Sequence, residues 1–208
     1  MRLNAGTPRD GIVLTQGRLD ALRKAPSDDD PVATAALSLL DDPLAEIVVE
    51  VTGPDGRRAA AFALGSDLCA VILSRPTHDP ELAAVTPESV PAVTARTVGL
   101  GPAPYVDIPP LTVPEADIDA LAVPPPQISP ALAAHPVGTA LRVGDWRLWR
   151  LQAAAPSDEG DGSALGARLD VLGARGYGWW VLEESAEGVL LSPTTATALW
   201  RGLSGVLG

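Results

Sequence analysis

The 208-residue sequence predicts an α+β protein: one central antiparallel sheet, duplicated about a quasi-two-fold axis, with helices packed against it. Three observations carry this. Hydrophobic residues make up 46% of the chain and charged residues 20%, enough apolar material to bury a core. Short β-branched runs recur between turn-forming Gly, Pro and Asp clusters. An order of three strands and then a cap–proline helix start occurs twice, from Ile47 through Leu73 to Thr86-Pro87, and from Leu169 through Leu191 to Ser192-Pro193. Chance can repeat that order in an α+β chain; a pseudo-two-fold arrangement is the other explanation. The expected layout is a single composite domain over 1–208, with halves about 1–101 and 139–208 and a Pro-rich helical connection over 102–138.

The elements follow in order. Thr15–Lys24 is a weak short helix, with Leu19 and Leu22 as its apolar positions. Asp30 is a good N-cap and Pro31 suits the first helical position, so a better helix runs to about Leu40. Leu44–Val51 reads as a strand, Gly53-Pro54-Asp55-Gly56 as a turn, and Arg57–Leu64 as the return strand. Leu68–Ser74 is a buried strand, and Asp79–Val85 a short edge strand. Thr86-Pro87-Glu88-Ser89 starts a helix, with Pro91 either deleting a backbone bond or moving the start to Ser89; it ends near Leu100, before Gly101-Pro102.

Between Gly101 and Gly138 proline dominates, yet apolar residues are too frequent for a pure spacer. Pro114–Leu121 reads as a short amphipathic helix with Ile118 and Leu121 on one side, and Ser129-Pro130 starts another to His135. Thr139–Val143, a Gly144-Asp145 turn and Trp146–Ala153 then read as a hairpin. Pro156–Gly166 is a polar loop. Ala167–Gly173, Tyr177–Glu183 and Gly188–Leu191 are strands. Ser192-Pro193 opens a closing helix with Leu199, Leu203 and Leu207 at helical spacing.

Charge and motifs exclude several classes. With 26 acidic and 15 basic side chains the net charge is −11, which opposes binding to nucleic acid or anionic membrane. Met1–Asp10 lacks the apolar stretch of a signal peptide, and no apolar run nears the roughly 20 residues that span a bilayer, so a cytoplasmic protein without membrane insertion is expected. Cys69, the single cysteine, lies in an apolar strand and reads as a small buried hydrophobe rather than a nucleophile. His78 and His135 are the only histidines and lack zinc-ligand spacing. Asp28, Asp29 and Asp30 read as a helix start rather than a metal site. Asp158, Glu159 and Asp161 lack the alternating pattern of a calcium loop. Gly99-Leu100-Gly101 runs into proline, so no dinucleotide fingerprint exists. The expectation is a protein that is not an enzyme and needs no cofactor and no metal.

The aromatics point elsewhere. All five tryptophans, Trp146, Trp149, Trp179, Trp180 and Trp200, lie in the last third. On a regular strand Trp146 and Trp149 face opposite sides, as do Trp179 and Trp180, so one of each pair points away from the main core. It lies either in a second core under the irregular helices or on an exposed contact surface of the hot-spot type.

Three stretches carry a resemblance: DGRRAAAFALGSDLCAVIL, PYVDIPPLTVPEADIDALA and GWWVLEESAEGVLLSPTTATALWRGLSGVLG. Their order resembles the EspG family, the cytosolic chaperones of mycobacterial type VII (ESX) secretion, over about Leu44–Leu121 and Leu169–Gly208. The stretch before the first strand is shorter than the family's. The resemblance implies a quasi-symmetric α+β fold and a non-enzymatic adaptor. Such an adaptor binds helical secretion substrates such as PE–PPE heterodimers, keeps them soluble and targets them for export. A homo-oligomer is compatible with it. Apolar excess, not the resemblance, nominates Trp146, Trp149, Ile118 and Leu121 as protein-binding residues. The alternative is an acidic immunity-type or regulatory protein that neutralises a basic partner through its surface charge.

Overall fold

The computed structural model describes residues 12–13, 31–75, 78–123, 127–143, 145–156 and 163–207. Its elements are β1 (Ile12–Val13), α1 (Pro31–Leu39), β2 (Ala45–Gly53), β3 (Gly56–Leu64), β4 (Cys69–Arg75), β5 (His78–Val85), a 3-10 turn (Pro87–Ser89) and α2 (Val90–Val98). Next come β6 (Leu111–Val113), α3 (Glu115–Ala122), α4 (Pro130–Ala134) and α5 (Pro136–Val143). The chain closes with β7 (Trp146–Pro156), β8 (Ser163–Ala174), β9 (Gly178–Ser185), β10 (Gly188–Thr194) and α6 (Ala196–Leu207).

The strands form one sheet in the order β1-β5-β4-β3-β2-β7-β8-β9-β10-β6, every pair antiparallel. Each half is a four-strand meander, β2 to β5 and β7 to β10. The two meet where β2 pairs with β7, Val49 opposite Leu151 and Glu50 opposite Arg150. Each meander leads into a helix, α2 or α6, and these two helices pack together. Thus the repeating unit has four strands, one more than the sequence order suggests.

Period-2 alternation sorts side chains onto two faces. On one, Ile47, Val49, Val51, Phe62, Val71, Val85, Trp149, Leu151, Val171 and Trp179 pack with Val93 and Val98 of α2 and Leu199 and Leu203 of α6. The opposite face carries two separate clusters. At one end α1 places Ala36 and Leu37 over Ala63, Ala70, Leu82 and Ala84. At the other, α3, α4 and α5 place Ile118, Leu121, Leu132, Val137, Ala140 and Leu141 over Trp146, Leu148, Leu172, Trp180 and Leu191.

Several expectations are corrected. Thr139–Val143 is helical, not a strand. Pro136 opens α5, and Val137, Ala140 and Leu141 form a buried helical stripe. β7 already has a strand on each side, β2 and β8, so no position is left for a hairpin partner from 139–143. The boundary expected at 139 therefore falls inside a helix, and the second meander opens at Trp146. Ser192-Pro193 continues β10 rather than capping a helix. Proline is tolerated there because β6 pairs only with Val189–Leu191, leaving the outer side of β10 free at Pro193. The cap is Thr195, whose Oγ1 accepts from the Ala198 amide at 3.1 Å. β5 is not an edge strand, since β1 pairs beyond it at Leu82 and Glu81. β8 begins at Ser163, inside the expected loop. Pro91 sits in the first turn of α2, after the 3-10 turn, where it displaces no helical bond. The helix expected over Thr15–Lys24, the Asp28–Asp30 cap and the residues Asp158, Glu159 and Asp161 lie outside the described residues.

Cys69 is buried in β4, opposite Val85 and Leu64. Burial pushes its thiol up to about 12. The folded state therefore holds the thiol proton more tightly than the unfolded chain. Its contribution to stability is complete below the ordinary thiol range and is lost as pH rises toward 12. Iodoacetamide at pH 8 should leave Cys69 unlabelled in the native protein and label it in denaturant, as read by intact mass. Fast native labelling would show that β4 opens locally.

Candidate functional site

The two helix clusters on the second face do not meet. Between them, among the described residues, the middle of β2 carries a strip of exposed side chains on this face. Here the alternation that buries Ile47, Val49 and Val51 turns Glu46, Val48 and Glu50 outward. Val48 lies between Ala61 of β3 and Gln152 of β7, both exposed. Val48 is 39% exposed, and Leu44, just before β2, is 65% exposed. Val48 and Ala61 are thus exposed apolar side chains on the sheet, set among the polar Glu46, Glu50 and Gln152.

One margin of the strip is charged. Register places Glu50, Arg150 and Asp170 side by side across β2, β7 and β8. Arg57 pairs with Glu50. Arg168 holds Asp170 Oδ2 at 2.7 Å and Glu184 Oε1 at 2.7 Å. Arg150 reaches Asp119 Oδ1 of α3 at 3.1 Å and Asp170 Oδ2 at 3.7 Å. Hydrogen bonding to Asp170, then its charge, raises the Arg168 guanidinium above its ordinary range, so it stays charged throughout. The Asp170 side chain is only 7% exposed, and its Oδ1 has no protein partner among the described residues. The network ties α3 to the sheet and borders a cleft of about 430 Å³ lined by Glu115, Ile118, Arg168, Asp170 and Glu184. Chemically the arrangement offers recognition: exposed Val48 and Ala61, a charged rim and an acceptor oxygen to spare. Among the described residues no group of three or more His, Cys, Asp or Glu side chains could hold a metal ion. Also among them, no helix is long and apolar enough to cross a membrane.

The four nominated binding residues lie elsewhere. Trp146 is 3% exposed, Trp149 0%, Ile118 2% and Leu121 0%. Trp146, Ile118 and Leu121 share the core under α3–α5, while Trp149 lies in the core under α2 and α6. Trp179 and Trp180 divide in the same way. The tryptophans of each pair do face opposite sides, but each side has its own helical cover. The expectation of an exposed surface at Trp146, Trp149, Ile118 and Leu121 is therefore corrected: all four are interior packing residues. Leu44–Val51 alternates only partly, and Val48 stands between two other β-branched residues, so the run does not by itself mark Val48 as outward-facing. The available signal was Glu46 and Glu50, which mark the parity of the outward face.

With this geometry the chain can be set beside known proteins. No family model matches its sequence, and no curated protein does. A solved structure does match: the Mycobacterium tuberculosis type VII secretion system chaperone EspG5, in complex with a PE25–PPE41 dimer. The fold is similar to that of a type VII secretion chaperone. The TM-score is 0.56 at 17% sequence identity, over 92% of this chain and 84% of EspG5. The EspG-like α+β fold expected from the sequence is thus present.

Proposed function

We propose that this chain is an EspG-like adaptor: a non-enzymatic, cytoplasmic protein that covers an apolar helical segment of a type VII (ESX) secretion substrate and targets it for export. The observation that carries the reading is the exposed sheet surface at Val48 and Ala61, between the helical covers among the described residues, on a fold similar to that of EspG5. A sheet face left bare between two helical covers is suited to receive helices, because helix-on-sheet burial is how the rest of this face is satisfied. The client is a PE–PPE-like helical pair, kept soluble while its apolar end is covered.

The test is co-expression with a PE–PPE pair encoded in the same genome, followed by capture and washing at low and then high salt. Apolar burial tolerates ionic strength, so the pair should stay bound. Val48→Asp puts a charge into the strip between Glu46 and Glu50 and should weaken retention by about tenfold or more, while Val48→Thr, which keeps the β-branched shape and the fold, should weaken it less. Retention equal in the wild type and Val48→Asp would move the client off the strip. Loss of every partner at high salt would favour the acidic-surface alternative, and no retention of any helical pair would overturn the adaptor reading.

A further inference from the structure

On the face covered by α2 and α6, a cleft of about 370 Å³ opens between the end of α2, the segment 99–103 and the ends of β7 and β8. That is the scale of a small-molecule site rather than of a protein interface. One wall is the Trp179 indole, which lies over Gly173 and donates from Nε1 to the Gly101 carbonyl at 3.2 Å. Beside it stands Arg147, half-buried on β7. Its Nη1 donates a single long bond of 3.5 Å to the Val98 carbonyl at the end of α2. No carboxylate pairs with Arg147 among the described residues; the nearby Asp145 is turned to Arg175 at 3.8 Å.

The guanidinium lies against the bare Cα of Gly99. Gly99 caps α2 with φ of 69°, and the Leu100 amide returns to the Ala95 carbonyl at 2.8 Å. A Cβ at Gly99 would overlap the Arg147 guanidinium. Glycine at that position therefore serves the helix end and the lodging of Arg147 together. A guanidinium carries five donors in a planar fork, and among the described residues this one makes a single weak bond. The ligand that matches the unused part of the fork is a carboxylate, bound by two parallel charge-assisted bonds. The global field of a chain at −11 repels anions, so the attraction is local, from Arg147 and Arg175 against one Asp145.

We propose that this cleft is a carboxylate-binding site, with Arg147 as the anchoring fork and Trp179 as its apolar wall. It lies on the opposite face from the open strip and does not depend on the adaptor reading. The carboxylate belongs either to a small free acid or to a peptide C-terminus, which present the same group.

The test is side-chain NMR of the full chain, following the Arg147 Nε–H and Trp179 indole Nε1–H signals. The probes are phenylacetate against phenylacetamide, and a tetra-alanine peptide with a free C-terminus against its amide. Saturable shifts at both signals are expected for the acids, with binding weaker by about tenfold or more for the amides. Arg147→Gln should lose the same factor, and Arg147→Lys, which keeps the charge but not the fork, should fall between. A tighter fit of the peptide acid than of phenylacetate assigns the site to a chain terminus; the reverse order assigns it to a free acid. Equal binding of acid and amide, or no saturable shift at either signal, overturns the proposal, and this comparison needs only the wild-type protein.

Discussion

Trp149→Ala is expected to lower stability by about 3–5 kcal/mol and the thermal midpoint by about 10 °C. Trp149 is fully buried in the middle of β7, between Val51 of β2 and Val171 of β8. It sits beside the seam where the two meanders join, within the core that α2 and α6 cover. Truncation leaves a large void under two helices, and a close-packed sheet relaxes into it only partly. Trp149→Phe should cost far less, about 1 kcal/mol, because the indole Nε1–H has no acceptor among the described residues and its removal relieves an unsatisfied donor. Urea melts of the two variants against the wild type check both values. An alanine variant of unchanged stability that had lost a binding partner would restore Trp149 to the surface and contradict its burial.

Gly173→Ala should destabilise the protein by about 2–3 kcal/mol through overpacking alone. Gly173 lies on β8 opposite Trp179 of β9. The indole lies against the bare Cα, so an added Cβ would overlap its Cε3 and Cζ3 atoms. The ring has little room to move, being buried in the main core and bonded to Gly101. The backbone at Gly173 is ordinary strand, so the cost is steric and coupled to one neighbour. Trp179→Leu is also destabilising, but combined with Gly173→Ala it should recover about 1 kcal/mol or more relative to additivity. Strict additivity in a double-mutant cycle would show that the two side chains do not meet.

Much of the fold was legible because it rests on local rules. The turn at Gly53–Gly56, the strands on either side of it and the glycine at the end of α2 each follow from a few adjacent residues, whereas Thr86-Pro87 opens a 3-10 turn without a side-chain cap and α2 starts only at Val90. Errors arose where a segment's neighbours decide its state. Residues 139–143 read as a strand by composition, but the strand positions beside β7 were already taken and the segment became α5. Ser192-Pro193 carries the chemistry of a helix start, yet pairing with β9 kept it extended and moved the start to Thr195.

The candidate site was less legible. Parity along a strand says that Trp146 and Trp149 face opposite ways, and it holds equally for a buried and an exposed face. Whether a face is covered depends on where α1 and α3–α5 land, which is a long-range matter. Those helices bury Trp146, Ile118 and Leu121, while Val48 belongs to neither cluster and stays partly exposed. The partner residues of Arg150 follow the same logic: Asp170 is across the sheet and Asp119 is on a helix, and only the β7–β8 register and the seat of α3 bring them together.

The sequence by itself thus determined the fold class, the presence of a duplicated strand-then-helix pattern, though with three strands per half in place of four, and the two-sided placement of the tryptophans. These rest on alternation, turn chemistry and caps, which act over a few residues. Only the tertiary structure decided which apolar residues are core and which stretch of sheet is left bare. Burial is a property of what packs on top, and that is set by contacts between residues far apart in the chain.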